Sequence, residues 1–139
     1  MNETQGGVVF ARTAPTISDR TRPYWTSGKD GVLRISRCQD CGNYIHPPKP
    51  VCPRCQGDHV EFEQVSGEGT VDSFTINRYQ WKATMPPPYV IAEVELAEQK
   101  GLLAMTNIEG CPIEDVRIGM DVHVAFDHVG EAWIPVFRP

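Results

Sequence analysis

The chain has 139 residues and a formal charge of −5, from 13 Lys/Arg against 18 Asp/Glu. That length allows one compact domain or two very small ones, and no stretch approaches the ~20 apolar residues that span a bilayer. The charge is uneven, with residues 1 to 66 at +1 and residues 67 to 139 at −6. Nucleic-acid affinity comes largely from cations that displace condensed counterions, so the acidic half argues against a phosphate-backbone binder.

Residues 1 to 15 are polar, with glycines at 6 and 7, and read as a flexible leader or a linker remnant. They hold no basic start followed by an apolar run, so the expected compartment is the cytoplasm. From Thr16 to Gly28, Ser18 and Thr21 are candidate helix caps, Pro23 suits a first turn and Gly28 a stop. One or two short helices fit there. "VLRIS", residues 32 to 36, alternates apolar and polar side chains and leads as a strand into the first of two C-x-x-C pairs.

Past the cysteines come five candidate strands, at 69–77, 89–96, 102–108, 121–129 and 132–137. In the second, Val90, Ala92, Val94 and Leu96 would face a core, with Glu93 and Glu95 opposite; in the fourth, Val122, Val124 and Phe126 point inward. Such alternation suits a sheet with one wet face. Five strands without an amphipathic helix predict a small closed barrel of OB type. The organisation expected is thus a leader over 1–15, a short helix and ribbon over 16–66, and a barrel over 67–139. The longest connection, "RYQWKATMPPP" at 78–88, is of a length often functional in compact domains.

Cys38 with Cys41, and Cys52 with Cys55, have the spacing of two metal-binding knuckles. Gly42 permits a positive φ beside one pair, and Pro53 fixes a negative φ within the other. In a reducing compartment such pairs read as metal ligands before disulfides or redox groups. Zinc is the first choice, with iron as its competitor in the same S₄ tetrahedron. Four thiolates close the coordination sphere, so the ion would be structural. His46 and His59, near the cysteines, read as surface histidines. His123 and His128 fall on or beside a strand with no acid or nucleophile placed for them. Cys111 has no base or oxyanion donor nearby in sequence, so it reads as a small apolar side chain and no catalytic residue is assigned.

The ordered set of a short helix with "YW", L-x-x-x-R-C-x-x-C-G, PP-x-P-x-C-P-x-C, G-x-G-T-V, PY-x-x-A-x-V-E-L, D-V-R-I-G-M-x-V and a terminal FRP resembles the family of zinc-ribbon plus OB-fold proteins associated with acyl-coenzyme A enzymes, a domain of unknown function. The resemblance runs from about residue 16 to 139. It implies a mainly β fold with a short N-terminal helix, a rubredoxin-like zinc ribbon held by Cys38, Cys41, Cys52 and Cys55, and a five-stranded OB barrel. It also implies a non-catalytic subunit or domain beside a thiolase-like acyl-CoA enzyme or a hotdog-fold hydratase. Members resembling this chain serve in the retro-aldol cleavage of steroid side-chain CoA esters.

For a partner surface, the aromatic and stiff residues are Tyr24, Trp25, Trp81, Met85, Pro86, Pro87 and Pro88, because aromatic anchors dominate interfaces. The alternative is that both tryptophans pack the ribbon against the barrel. Arg78 and Lys82 are the cations of the long loop, candidates for coenzyme A phosphates or plain solvated charge. The leading expectation is an accessory subunit in a hetero-oligomer that helps shape its partner's CoA or acyl entrance, with neither nucleic acid nor membrane as a partner. The rivals are a single-stranded nucleic-acid module, since ribbons and OB barrels both serve that use, and a stand-alone acyl-CoA binding protein.

Overall fold

The computed structural model describes residues 4, 5 and 8–139. Residues 1–3, 6 and 7 of the expected leader lie outside the described residues. A two-residue ladder joins β1 (Thr4–Gln5) to β2 (Val8–Val9). From Phe10 to Pro15 the chain runs against the barrel: Ala11 N–H donates to the Thr84 carbonyl at 2.7 Å, and the rings of Phe10 and Tyr89 meet edge to face at 5.5 Å.

Helix α1 (Arg22–Thr26) has a proline in its first turn, where a missing N–H costs nothing. Ser18 and Thr21 exchange backbone-to-side-chain hydrogen bonds across the turn that precedes it. Gly28 is not the stop the sequence suggests. It lies buried in the 3₁₀ turn Ser27–Asp30 that continues α1, and a Cβ there would stand 2.4 Å from a Phe126 ring carbon. Gly31 ends the segment instead, at φ 77°. Gly28 is therefore needed for close packing and Gly31 for its backbone angle.

The ribbon is a three-stranded sheet, with β3 (Leu33–Cys38) between β4 (Tyr44–Ile45) and β5 (Val60–Val65). The barrel follows as β6 (Glu68–Asn77), β7 (Tyr89–Leu96), β8 (Leu103–Ile108), β9 (Asp121–Val129) and β10 (Ala132–Arg138). It closes in the order β10-β8-β7-β6-β9. All five predicted strands are present, and the expected side chains of β7 are buried in strict alternation. A register shift between Val71 and Ser73 leaves Asp72 as the extra residue. Such a bulge bends a strand, and β6 pairs with β9 through Glu68–Thr70 while following β7 to Asn77. Closure comes from the parallel contact of β10 with β8, where Phe137 lies opposite Ile108.

One continuous core joins the two parts. Leu33, Ile35 and Val65 from the base of the ribbon pack in the same cluster as Val71, Val94, Leu96 and Phe137 of the barrel. At the joint, Gln99 in the β7–β8 turn accepts from the Tyr44 N–H at 2.9 Å and donates to the Tyr44 carbonyl at 3.2 Å. Its amide thus stands in for a neighbouring strand along the edge of β4. No helix among the described residues is long and apolar enough to cross a membrane.

Candidate metal centre and surrounding surfaces

The two knuckles share one backbone plan. Gly42 N–H donates to the Cys38 carbonyl at 2.9 Å and Gln56 N–H to the Cys52 carbonyl at 2.8 Å; each fourth residue is left-handed, Gly42 at φ 81° and Gln56 at φ 65°. The glycine was legible in the sequence. Its counterpart Gln56 was not, because only the folded turn forces a side-chain-bearing residue into that region. Gly57, one residue on, leaves room that a Cβ would take from Asp40, 2.4 Å from its carboxylate oxygen.

These turns bring the four Sγ atoms within 4.8 Å of one another, with Cys38 and Cys52 buried and Cys41 and Cys55 exposed. The closest separations are 3.5 Å between Cys38 and Cys55 and 3.7 Å between Cys41 and Cys52. A tetrahedral zinc with bonds of about 2.3 Å needs ligand edges of about 3.8 Å, so the cluster has the right size. The surrounding donors suit thiolates. Arg54 N–H points at the Cys52 sulfur and Gly57 N–H at the Cys55 sulfur, each at 3.4 Å, and the buried Asn43 amide reaches Cys52 at 3.7 Å.

Electrostatics points the same way. The Cys55 N–H lowers the Cys52 thiol to about 6 against the opposing effect of burial, helped by Arg54 N–H, Cys41 and Asn43. Cys55 moves up to about 12: the Gly57 N–H pulls it down, and the neighbouring Cys38 and Cys41 thiols, burial and Cys52 outweigh it. Four negative charges at this spacing need a cation among them, and a fully protein-ligated tetrahedron leaves no position for water or substrate.

The histidines are not ligands. His46 is not the surface residue expected, because it packs half-buried on the Tyr24 ring at 4.7 Å, and burial holds it down at about 4. His59 is exposed and contacts Glu61 at 2.9 Å. His123 is exposed, and His128 stacks flat on Trp133 at 3.9 Å. Cys111 is half-buried at the edge of the core, and its thiol is pushed up by burial first and the charge of Asp115 second.

The aromatic candidates separate. Tyr24, only 7% exposed, belongs to the core; burial pushes its phenol well above the usual range. Trp25 is half-buried against the same core. Trp81 does not join ribbon to barrel. It is 72% exposed, stacks edge-on with Tyr79 at 4.6 Å and donates to Asn77 at 3.0 Å. Met85, Pro86 and Pro87 are half-buried and Pro88 is exposed. Arg78 is exposed, and Lys82 donates to Thr13 at 2.8 Å.

Sequence reasoning missed Arg12 altogether. Its guanidinium is 8% exposed and sits between Glu109 and Asp127, with Asn107 accepting at 3.1 Å and 3.2 Å. Asp127 is 2% exposed and follows a run of three half-buried residues, 124 to 126, that breaks the alternation of β9. A charge in a strand was the available signal, but its partner lies 115 positions away.

Two family models match end to end: the ChsH2 rubredoxin-like zinc ribbon domain at residues 25–63, and the ChsH2 C-terminal OB-fold domain at 62–127. A "DUF35 domain-containing scaffold protein" of Methanocaldococcus jannaschii is 37% identical over 111 residues, covering 77% of each chain. The chain belongs to the ChsH2 (DUF35) family. With the four-sulfur cluster, that membership fits a structural zinc in the ribbon. A "probable enoyl-CoA hydratase alpha subunit" of Thermomonospora curvata is 33% identical over 129 residues, covering 92% of this chain and 40% of that protein. The chain therefore spans about two fifths of that relative's length and about three quarters of the scaffold protein's. Among solved structures, a chain of the "Ltp2-ChsH2(DUF35) aldolase" superposes with a TM-score of 0.81 at 32% identity, covering 91% of this chain and 98% of that one. The ribbon and barrel thus recur together in that chain.

Proposed function

We propose that this chain is a non-catalytic accessory subunit or domain that binds and stabilises a thiolase-fold acyl-CoA enzyme and contributes to its CoA or acyl entrance. The observation that carries the reading is the likeness, over nearly the whole of both chains, to a chain of the Ltp2-ChsH2(DUF35) aldolase. The names of the other relatives, a scaffold protein and a hydratase alpha subunit, support it. So does the chemistry: Cys38, Cys41, Cys52 and Cys55 are placed to hold a zinc ion with no ligand position left for substrate, and Cys111 has a thiol pushed away from the reactive thiolate.

On this reading Trp25, Trp81, Met85 and Pro86 to Pro88 belong to the partner surface, and the exposed Arg78 faces coenzyme A phosphates. The partner is a thiolase-like enzyme, with a hotdog-fold hydratase as a second associate, and the finer reaction is retro-aldol cleavage of steroid side-chain CoA esters. The test is affinity purification of the tagged chain from its own cells, protein identification, and assay of the complex and each component on steroid side-chain and simple acyl-CoA esters. The expected result is a stoichiometric complex with an acyl-CoA enzyme whose turnover or stability falls when this chain is removed. Turnover by the lone chain, or a partner with no connection to acyl-CoA chemistry, overturns the reading.

A further inference from the structure

Beside α1 the surface opens into a groove of about 320 Å³. Four separate parts of the chain build it: the segment around Thr13, Tyr24 and Trp25 of α1, Lys82 and Met85 of the long loop, and residues of β7, β8 and β10, among them Met105. Met105 is 70% exposed at the middle of a strand, where a polar residue is the ordinary choice on a wet face. Contacts within the chain tie the walls of the groove together. Arg12 is clamped by Glu109 and Asp127, Ala11 is hydrogen-bonded to Thr84, and Lys82 to Thr13.

Charge distinguishes this groove from its surroundings. The barrel half carries −6, yet no Asp or Glu lines the groove, and Glu93, opposite Met105 in the β7–β8 register, lies outside the lining. Arg12 is neutralised by its two carboxylates. Lys82 has no carboxylate within ion-pair distance among the described residues. An apolar floor with one uncompensated cation at its rim is complementary to an apolar segment carrying a carboxylate. The groove is open along its length, so an acyl chain laid in it would leave Met105 wet, whereas a protein segment brings its own apolar surface to cover both sides.

Resting on the accessory-subunit reading, we infer that this groove receives an apolar segment of the acyl-CoA enzyme that bears an Asp or Glu, with Trp25, Met85 and Met105 as the apolar contacts and Lys82 as the ionic one. The test uses the full chain and the enzyme purified with it, measured by calorimetry. Met105→Asp, on an exposed position that leaves the fold intact by circular dichroism, weakens binding at least 100-fold, and Lys82→Glu about 10-fold with a shallower salt dependence. Ile118→Asp, 71% exposed in the β8–β9 connection and outside the groove, binds as wild type. A photo-crosslinker at Met105 labels an acid-bearing peptide of that enzyme.

Crosslinks to a second copy of this chain, an acyl-chain adduct in their place, or undiminished affinity of Met105→Asp overturns the inference. If the complex still forms in that last case, the accessory reading stands and only the docking groove is lost; if no acyl-CoA enzyme co-purifies at all, the broader reading has failed first.

Discussion

The two ends of this molecule are held by different means. At the knuckles the buried apolar cluster is Cys38, Ile45 and Cys52, with Val60 alongside, and two of those three are the proposed ligands. The barrel buries a large set of aliphatic side chains and shares its core with the root of the ribbon. A segment with so small a core needs a metal; a closed barrel with a full interior does not. The difference teaches that the ion's stabilising effect is local, reaching the knuckle tip and stopping where Leu33, Ile35 and Val65 join the barrel core.

Zinc removal separates the two regions most sharply. Structural zinc supplies on the order of 10 kcal/mol of folding free energy in isolated ribbon and finger peptides. Chelation, or Cys52→Ala, is expected to abolish amide protection from residue 38 to 60 while strands such as β7 keep theirs, read by hydrogen exchange. Loss of protection throughout the barrel would show that the two regions fold as one. Leu96→Ala is the converse: the side chain is 1% exposed, so its truncation costs about 2–5 kcal/mol. Thermal unfolding should move down for the whole molecule while zinc content stays unchanged.

A smaller effect lies at the boundary. His46 is held down at about 4 by burial against its ordinary 6.5, so the unfolded chain takes up the proton first as pH falls. Its stabilisation is complete above about pH 6.5 and is lost progressively toward pH 4. The share lost by pH 5 is about 1–2 kcal/mol after allowance for a partly exposed ring. His46→Phe should flatten that part of the stability profile relative to wild type, measured by denaturant unfolding with zinc in excess. The smallest effect is Gln56→Gly, which relieves a left-handed non-glycine residue and should stabilise the second knuckle by about 0.5–1 kcal/mol, seen as slower zinc release.

Most of the barrel could be read from the chain because alternation such as Val90, Ala92, Val94 and Leu96 is a local signal of one buried face. The knuckles were equally local, set by C-x-x-C spacing and Gly42. What stayed hidden depends on distant partners. Arg12 reads as a leader residue until β8 and β9 place Glu109 and Asp127 around it. Tyr24 reads as a surface aromatic until the ribbon and barrel cover it. Met105 belongs to no motif, and the register of β8 turns it outward. Gly28 and Gly31 are indistinguishable by composition, and packing alone assigns them different tasks.

Ring closure of β6 to β10 also governs how this body can be combined with others. Each of those strands has a bonded neighbour on both sides, which confines any added strand to the stretches beyond the single β8–β10 pair and the three β6–β9 pairs, and so limits the usual route to indiscriminate sheet growth. Elsewhere a neighbour is recognised through side chains, whose identity can change without disturbing the backbone. Such a unit can be carried into a longer polypeptide or left separate with the same architecture, and its choice of company can be rewritten one surface residue at a time.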